Sequence, residues 1–465
     1  MRKSFALFLI FFSISLFAQF PNTITPTEKL YGLSKFWQEV NYNFVYLDKV
    51  DAVEWDKQYK QLLGTITQTP NDYEYYRQLQ KFGASLNDGH TLVIMPDDVV
   101  PNLMFDMFGD YRIFLQSIES KPIIIGSNLS KKDELPLGSE IIEVNGLPVQ
   151  QYIDEKLAPY IEASTPYVRQ NKSISNLFMG MEGDSYVIKI KKPNGKLATL
   201  NLTHKKTTEQ EVYPGPNTTG IFEFKWLDKN IAYVGLNTFN DAVIVKQFLE
   251  KLPELNKAKA LVIDIRYNGG GSSSNAKKIV QYFIDGNLIY GAKNSSRLHI
   301  PTDKALGSFL KPEDTIEGKK AWGLTRQETI DLYRAGKGNK FHEYEYAPDT
   351  ISSDIKKIII PTVILTGNAT ASSAEDFLVY ADGQKHIKRI GESTNGSTGQ
   401  PLLVDLPNGG SAWICTKKVT FRDGREFIGI GIKPDIEVKR TVSDFLKKKD
   451  PALEKAVQVL KTEIK

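Results

Sequence analysis

The chain has 465 residues, and its 59 basic and 55 acidic side chains leave a net charge of +4. Because these charges are interspersed, nucleic acid is not an expected partner. The single cysteine, Cys415, excludes an internal disulfide and a cysteine-built zinc site. The length predicts about two to three domains with their own cores.

The first residues have the pattern of an export signal. Arg2 and Lys3 precede an apolar run, and Ala18 supplies a small residue for cleavage. We therefore predict a signal peptide over residues 1–18. The run is too short to span a membrane and no second one follows, so we expect a soluble periplasmic or extracellular protein without stable membrane insertion.

Residues 19–104 are predicted to be a helical domain. The stretches "TEKLYGLSKFWQEVNYNF" and "NDYEYYRQLQKFGASL" space their apolar side chains by three and four residues. The helical pattern stops at Asn87-Asp88-Gly89, a turn signal inside the motif "LNDGHT".

The rest of the chain predicts a β module followed by an α/β core. Residues 105–215 contain short β-rich runs such as "YRIFLQSI" and "SYVIKIKK". From 216 to 440 strands and helices alternate, apart from an irregular insertion at about 293–355. An amphipathic helix is expected over 441–465.

Ligands of α/β sheets bind beyond the carboxyl ends of strands, and two predicted strand ends carry unusual residues. Gly269, Gly270 and Gly271 follow the buried strand of "LVIDIRYNGGG". Taken alone, this run predicts no more than a tight turn, although bare glycine N–H groups also suit an oxyanion or a phosphate. No phosphate-loop spacing is present, and "SSS" beside the run does not favour a phosphate ligand.

The second strand end carries Ser372, at the start of a predicted helix. Ser372 and Glu375 have the spacing of a capping box, which is the simpler interpretation. The same position lies in the positive potential of a helix N-terminus and therefore also suits an attacking serine. The N–H of Ser373 could then be one oxyanion donor, and a glycine N–H the other.

Four stretches in this order, "LVIDIRYNGGG", "GNATASSAED", "RIGESTNGSTG" and "GIGIKPDIEV", resemble the tail-specific proteases, which include the C-terminal processing and tricorn-type peptidases. The resemblance implies an α+β multidomain fold with an N-terminal helical bundle, a PDZ-like β module and a crotonase-like and Clp-protease-like core. It also implies that Ser372 is the nucleophile and that Gly270, Gly271 and Ser373 supply the oxyanion donors.

The proton acceptor is not the lysine that the processing peptidases use, because Ser397 stands at that position of "GESTNGSTG". The tricorn-type branch takes a histidine from far upstream, and "LNDGHT" resembles that motif, which implies His90 as base. A neutral imidazole is suited to this task near pH 7. The other four histidines, His204, His299, His342 and His386, are expected at the surface or in loops.

The group that orients His90 is open in the sequence. Gly89 stands where the tricorn-type pattern has a serine, so Asp88 or Thr91 are the candidates. A glutamate is expected where the chain has Ile428; Glu426, two residues earlier, is the replacement candidate, or else an exposed hairpin acid.

The sequence thus predicts an exported serine endopeptidase that acts on unfolded or C-terminal segments, with a peptide or protein as its partner and with neither a metal nor an organic cofactor. The alternative is a catalytically degenerate peptide- or lipid-binding protein on the same scaffold. The distance between His90 and Ser372 distinguishes the two.

Overall fold

The computed structural model describes residues 22–215, 219–319 and 321–464, so the predicted signal peptide lies outside the described residues. Helices and strands combine in an α+β architecture. In the part of the chain that is described, no helix has the length and apolar character needed to cross a bilayer.

Three α-helices open the described chain, and each begins at a capping side chain. They are Pro26–Asn43, Ala52–Thr65 and Asp72–Ala84, capped by Thr25, Asp51 and Asn71. Each cap accepts a backbone N–H from the first turn, as short polar side chains do at helix starts. The buried side chains of these helices pack into one hydrophobic cluster with residues from 232 to 432.

The next unit is the β module, an antiparallel sheet with its own core. Its long strands agree with the predicted runs, and Asn145 and Gly146 form the expected tight turn with φ values of 50° and 80°. Helix Pro166–Ser175 packs beside the first long strand. The strands are Met107–Phe108, Tyr111–Ile118, Lys121–Asn128, Glu140–Val144, Leu147–Pro148, Ser185–Lys191, Leu197–Thr203 and Val212–Tyr213. Helix Val149–Tyr152 and the short pair Leu103–Met104 and Gly180–Met181 complete it.

A six-stranded core sheet follows, antiparallel in its first pair and parallel in the others. Its strands in spatial order are Phe222–Trp226, Ile231–Leu236, Ala260–Asp264, Thr362–Thr366, Ile387–Gly391 and Ile436–Glu437. Both faces are covered, which explains the continuous apolar runs of its central strands. Helices Val243–Leu255, Ser273–Val280 and Ser373–Tyr380 pack into the large cluster on one face, and helix Pro451–Glu463 covers the other. Helix Val442–Leu446 precedes that last helix.

The described residues of the insertion at 293–355 form helices and strands, so the prediction of an irregular segment is wrong. Helices Pro301–Gly307 and Arg326–Gly336 cross at Gly307 and Gly336, where a Cβ on Gly307 would lie 1.8 Å from the carbonyl oxygen of Leu332. Strand Lys293–Arg297 pairs with Phe341–Glu343 and with Lys418–Thr420 of the core. Leu288–Ile289 and Asp349–Thr350 form a further pair. The prediction failed because these strands pair only with distant segments.

A small three-stranded sheet joins the N-terminal part to the core. Strand Leu92–Ile94 pairs with Ser411–Cys415, which in turn pairs with Pro401–Asp405. The first of these strands follows "LNDGHT" directly, and the last follows the loop that contains Ser397. The sheet therefore brings His90 and Ser397 to the same place.

Candidate active site

Ser372 lies between the core strand Thr362–Thr366 and helix Ser373–Tyr380, at the carboxyl ends of the parallel strands. Its backbone has φ 54° and ψ −126°, a conformation that L-residues rarely adopt. Its side chain makes no capping hydrogen bond. The capping-box interpretation is therefore wrong, because the strained turn directs the hydroxyl away from the helix N–H groups.

The imidazole of His90 bridges two serine hydroxyls. Its Nε2 lies 3.3 Å from Oγ of Ser372, and its Nδ1 lies 2.6 Å from Oγ of Ser397. The backbone N–H of Ser372 also donates to the carbonyl oxygen of Ser397, at 2.9 Å. The structure thus brings together the two side chains that the sequence nominated as nucleophile and base.

Local contacts on both sides hold the His90 segment. The N–H of Gly89 donates to Oγ of Ser164 at 2.8 Å. On the other side, the hydroxyl of Thr91 accepts the N–H of Cys415 at 3.0 Å. Thr91 therefore serves the small sheet and does not orient the imidazole.

Burial is the main electrostatic influence on His90, and it lowers the pKa of the imidazole below its usual value of 6.5. Negative charge from Asp88 and Asp376 opposes that shift. A lowered pKa keeps the ring uncharged at neutral pH, which is the form that accepts a proton.

Asp88 acts on His90 by its charge, without a hydrogen bond to either ring nitrogen. Burial raises the pKa of this carboxyl. Its Oδ1 accepts from the Ser164 hydroxyl at 3.4 Å.

Glu375, assigned above to a capping box, instead anchors the loop that contains Ser397. Its buried carboxylate accepts hydrogen bonds from the N–H of Gly396 at 2.8 Å and of Ser397 at 2.9 Å. It also accepts one from the Thr394 hydroxyl. Burial raises the pKa of Glu375 to about 7. The sequence signal for this role was a glutamate one helical turn after Ser372, but only the folded loop supplies its donors.

The glycine run packs directly against the serine. A Cβ on Gly270 would lie 2.6 Å from Cβ of Ser372, and φ at Gly270 is +104°. Its N–H donates to Oδ1 of Asn268 at 2.9 Å, so the structure does not support Gly270 as an oxyanion donor. Over the described ranges, the N–H groups of Gly271 and Ser373 have no protein acceptor. These two remain the candidate donors.

The structure does not bring Glu426 to this group. Its carboxylate is half-exposed and forms ion pairs with Lys49 at 3.1 Å and with Lys418 at 3.5 Å. Ile428, where the family pattern predicts a glutamate, is buried in the large hydrophobic cluster. The surroundings of Glu426 therefore agree with the alternative interpretation, an exposed acid of a hairpin.

The other histidines lie away from Ser372, but one expectation about them is wrong. His204 is 1% exposed and lies in the core of the β module. Its ring nitrogens contact the carbonyl oxygens of Met107 at 2.9 Å and Phe178 at 2.6 Å. A histidine at the end of a strand was expected in a loop, but its ring stacks on Phe108 and lies edge-on to Tyr186 in the core of the module. The other three, His299, His342 and His386, are at least partly exposed.

A serine on a strained strand-to-helix turn, with an imidazole within reach and bare N–H groups beside it, is the arrangement of the serine hydrolases. Residues 230–438 match the model of peptidase family S41. The core is thus similar to the S41 peptidases, which confirms the resemblance to the tail-specific and C-terminal processing peptidases.

Individual proteins are also similar to this chain. The carboxy-terminal processing protease CtpA of Bacillus subtilis (strain 168) is 22% identical over 273 residues, which are 58% of this chain and 46% of that relative. The match thus spans about half of the relative's length. Mature CPAF complexed with lactacystin has a TM-score of 0.63 at 15% identity, over 94% of this chain and 98% of that one. A peptidase of Parabacteroides merdae ATCC 43184 has a TM-score of 0.51 at 18% identity, over 94% and 96%. These two similarities establish the fold.

Proposed function

We propose that this protein is an exported serine endopeptidase that hydrolyses peptide bonds in unfolded or C-terminal protein segments. The observation that carries the proposal is the 3.3 Å separation between Nε2 of His90 and Oγ of Ser372. At this distance the imidazole can take the hydroxyl proton as the oxygen attacks.

Acylation forms one bond and breaks another. Oγ of Ser372 bonds to the peptide carbonyl carbon while its proton moves to Nε2 of His90. The tetrahedral intermediate then collapses, the C–N bond breaks, and His90 returns the proton to the leaving amine. Water, activated by the same imidazole, hydrolyses the acyl-serine.

The N–H groups of Gly271 and Ser373 are proposed to hold the oxyanion. Ser373 follows Ser372 in the chain, and Gly271 follows Gly270, whose added Cβ would contact Ser372. Both N–H groups are free of protein acceptors in the described chain, so they are available to a substrate oxygen. Fixed backbone dipoles of this kind stabilise charge that develops in the transition state. The core sheet and its glycine turn fit the crotonase-like and Clp-protease-like scaffold.

The β module is proposed to be PDZ-like and to receive the substrate. A cleft of about 870 Å³ separates it from the core, between strand Tyr111–Ile118 and helix Pro166–Ser175 on one side and the core strand ends on the other. An extended peptide can add to a strand edge in such a cleft. The cleft includes Gly367 and Asn368, in the loop that leads to Ser372.

A fluorophosphonate label tests the proposed nucleophile and base. Wild type should be labelled, and Ser372→Ala and His90→Ala should both lose labelling at unchanged melting temperature. His342→Ala, which changes an exposed histidine, is the matched control and should label normally. Labelling that survives Ser372→Ala would refute the assignment. An unlabelled wild type would favour the catalytically degenerate binding protein.

A bulky substitution tests the role of the cleft. Ser175→Trp places an indole at the cleft wall and should raise KM for long peptides while the rate with a small ester stays unchanged. Thr199→Trp, on an exposed outer strand position, is the control. Equal KM values for all three proteins would contradict substrate binding in the cleft.

A further inference from the structure

We propose that Ser397 is the positioning residue that orients His90 for proton transfer, and that the carboxylate of Glu375 holds Ser397 in place. The proposal rests on the function proposed above and adds two residues to its machinery. Its central observation is the 2.6 Å contact between Nδ1 of His90 and Oγ of Ser397.

The contact selects one tautomer of the imidazole. Nε2 can accept the proton of Ser372 only if it carries none, so the neutral ring must carry its proton on Nδ1. That N–H then donates to the Ser397 hydroxyl oxygen. Since the carbonyl oxygen of Ser397 also accepts the N–H of Ser372, one residue sets the positions of both base and nucleophile.

The side chains next to His90 in the sequence do not orient its ring. The Thr91 hydroxyl and the Asp88 carboxylate have partners other than the ring, as described above. Gly89 makes room: a Cβ at position 89 would lie 2.8 Å from Oγ and 3.3 Å from Cβ of Ser397. The hydroxyl from the loop therefore occupies the space that a side chain at position 89 would need.

Glu375 fixes the loop through donors that only a carboxylate can satisfy together. The N–H of Gly396 donates to Oε1, and the N–H of Ser397 donates to Oε2. A glutamine would present its NH₂ group to one of these N–H donors and leave that donor unsatisfied. Because Glu375 lies one helical turn after Ser372, the helix of the nucleophile and the loop of Ser397 become one rigid unit.

Ser397→Ala tests the hydroxyl directly. We expect kcat to fall by about 10- to 100-fold, because the ring loses its orientation. KM should stay unchanged, because the proposed role of this hydroxyl is to hold the imidazole and not the substrate. Thr398→Val removes the neighbouring buried hydroxyl, which contacts Asp376, and is the matched control with kcat within about twofold. An unchanged kcat in Ser397→Ala would overturn the proposal.

Proton NMR of protein labelled with ¹⁵N-histidine gives a readout that does not depend on turnover. The Nδ1 proton of His90, assigned by its loss in His90→Gln, should resonate downfield in wild type and move upfield in Ser397→Ala. A resonance at the same shift in both proteins would also overturn the proposal.

Glu375→Gln tests the anchor. We expect a reduced kcat at unchanged KM, with the His90 resonance shifted or broadened. Wild-type kcat and an unmoved resonance would refute the role of Glu375.

Fluorophosphonate labelling distinguishes a failure of the proposed function from a failure of the inference about Ser397. If Ser372→Ala still labels, the proposed function fails. If it does not label and Ser397→Ala turns over normally, only the inference about Ser397 fails.

Discussion

His90 and Ser372 lie 282 positions apart in the chain, yet Nε2 of one is 3.3 Å from Oγ of the other. The small sheet produces this proximity by pairing Leu92–Ile94 with Ser411–Cys415. The N-terminal helices are therefore part of the active-site architecture, and their buried side chains share a cluster with the core.

The pH dependence of kcat/KM should show an acid limb with its midpoint below 6.5. Burial lowers the pKa of His90, so the active neutral ring persists to more acidic pH and is lost only as pH falls through that lowered value. Replacing Asp88 by Asn removes a negative charge that raises this pKa, so the midpoint should move to still lower pH. Rate profiles of the two proteins provide the check; a midpoint that moves upward in the variant would contradict the charge effect.

Gly270→Ala should abolish activity. The added Cβ would lie 2.6 Å from Cβ of Ser372, and φ of +104° is strained for any L side chain. We expect kcat to fall at least about 100-fold, consistent with displaced catalytic groups. Gly269→Ala is the control, since nothing lies within 4 Å of its added Cβ. A wild-type kcat in Gly270→Ala as well as in Gly269→Ala would contradict the prediction, because it would show that the turn accommodates the added Cβ.

Glu426→Gln should change kcat by no more than about twofold, because the carboxylate pairs with Lys49 and Lys418 and not with His90. Exposed ion pairs of this kind also contribute little to the stability of the fold. Steady-state kinetics with a chromogenic peptide would measure it. A large loss of kcat in a protein of unchanged melting temperature would return Glu426 to the catalytic relay.

Stability should depend on pH through Glu162, a half-buried carboxyl that accepts the N–H of Val93 at 3.2 Å. Burial raises the pKa of Glu162 to about 7, above that of an unfolded glutamate. Its favourable contribution is therefore complete at acidic pH, below the unfolded pKa, and is lost as pH rises through about 7.

Thermal melts between pH 5 and 8 provide the check. The melting temperature should fall less with rising pH in Glu162→Gln than in wild type. At pH 8 the free energy of unfolding of the variant should exceed that of wild type by about 2 kcal/mol. The exposed Glu250→Gln is the control and should keep the wild-type slope. Identical slopes for wild type and Glu162→Gln would contradict the prediction.

The features that the sequence determined are those set by neighbouring residues. Periodicity predicted the N-terminal helices and the strands of the β module, because side-chain spacing reports directly which face is buried. The four stretches that resemble the tail-specific proteases nominated Ser372, and the absence of a lysine at position 397 nominated His90. Each of these conclusions needs only a local pattern or a motif.

Long-range contacts decided the rest. Only the folded chain shows that the hydroxyl of Ser397 contacts the His90 ring. Only the folded chain shows that Glu375 binds the loop of Ser397 instead of capping a helix. The hydrogen bond from the N–H of Gly270 to Asn268 is likewise visible only there. Only the fold leaves Glu426 half-exposed and buries His204. A local pattern does not contain these outcomes, because a polar group's role depends on which donors and acceptors the tertiary structure places within about 3 Å of it.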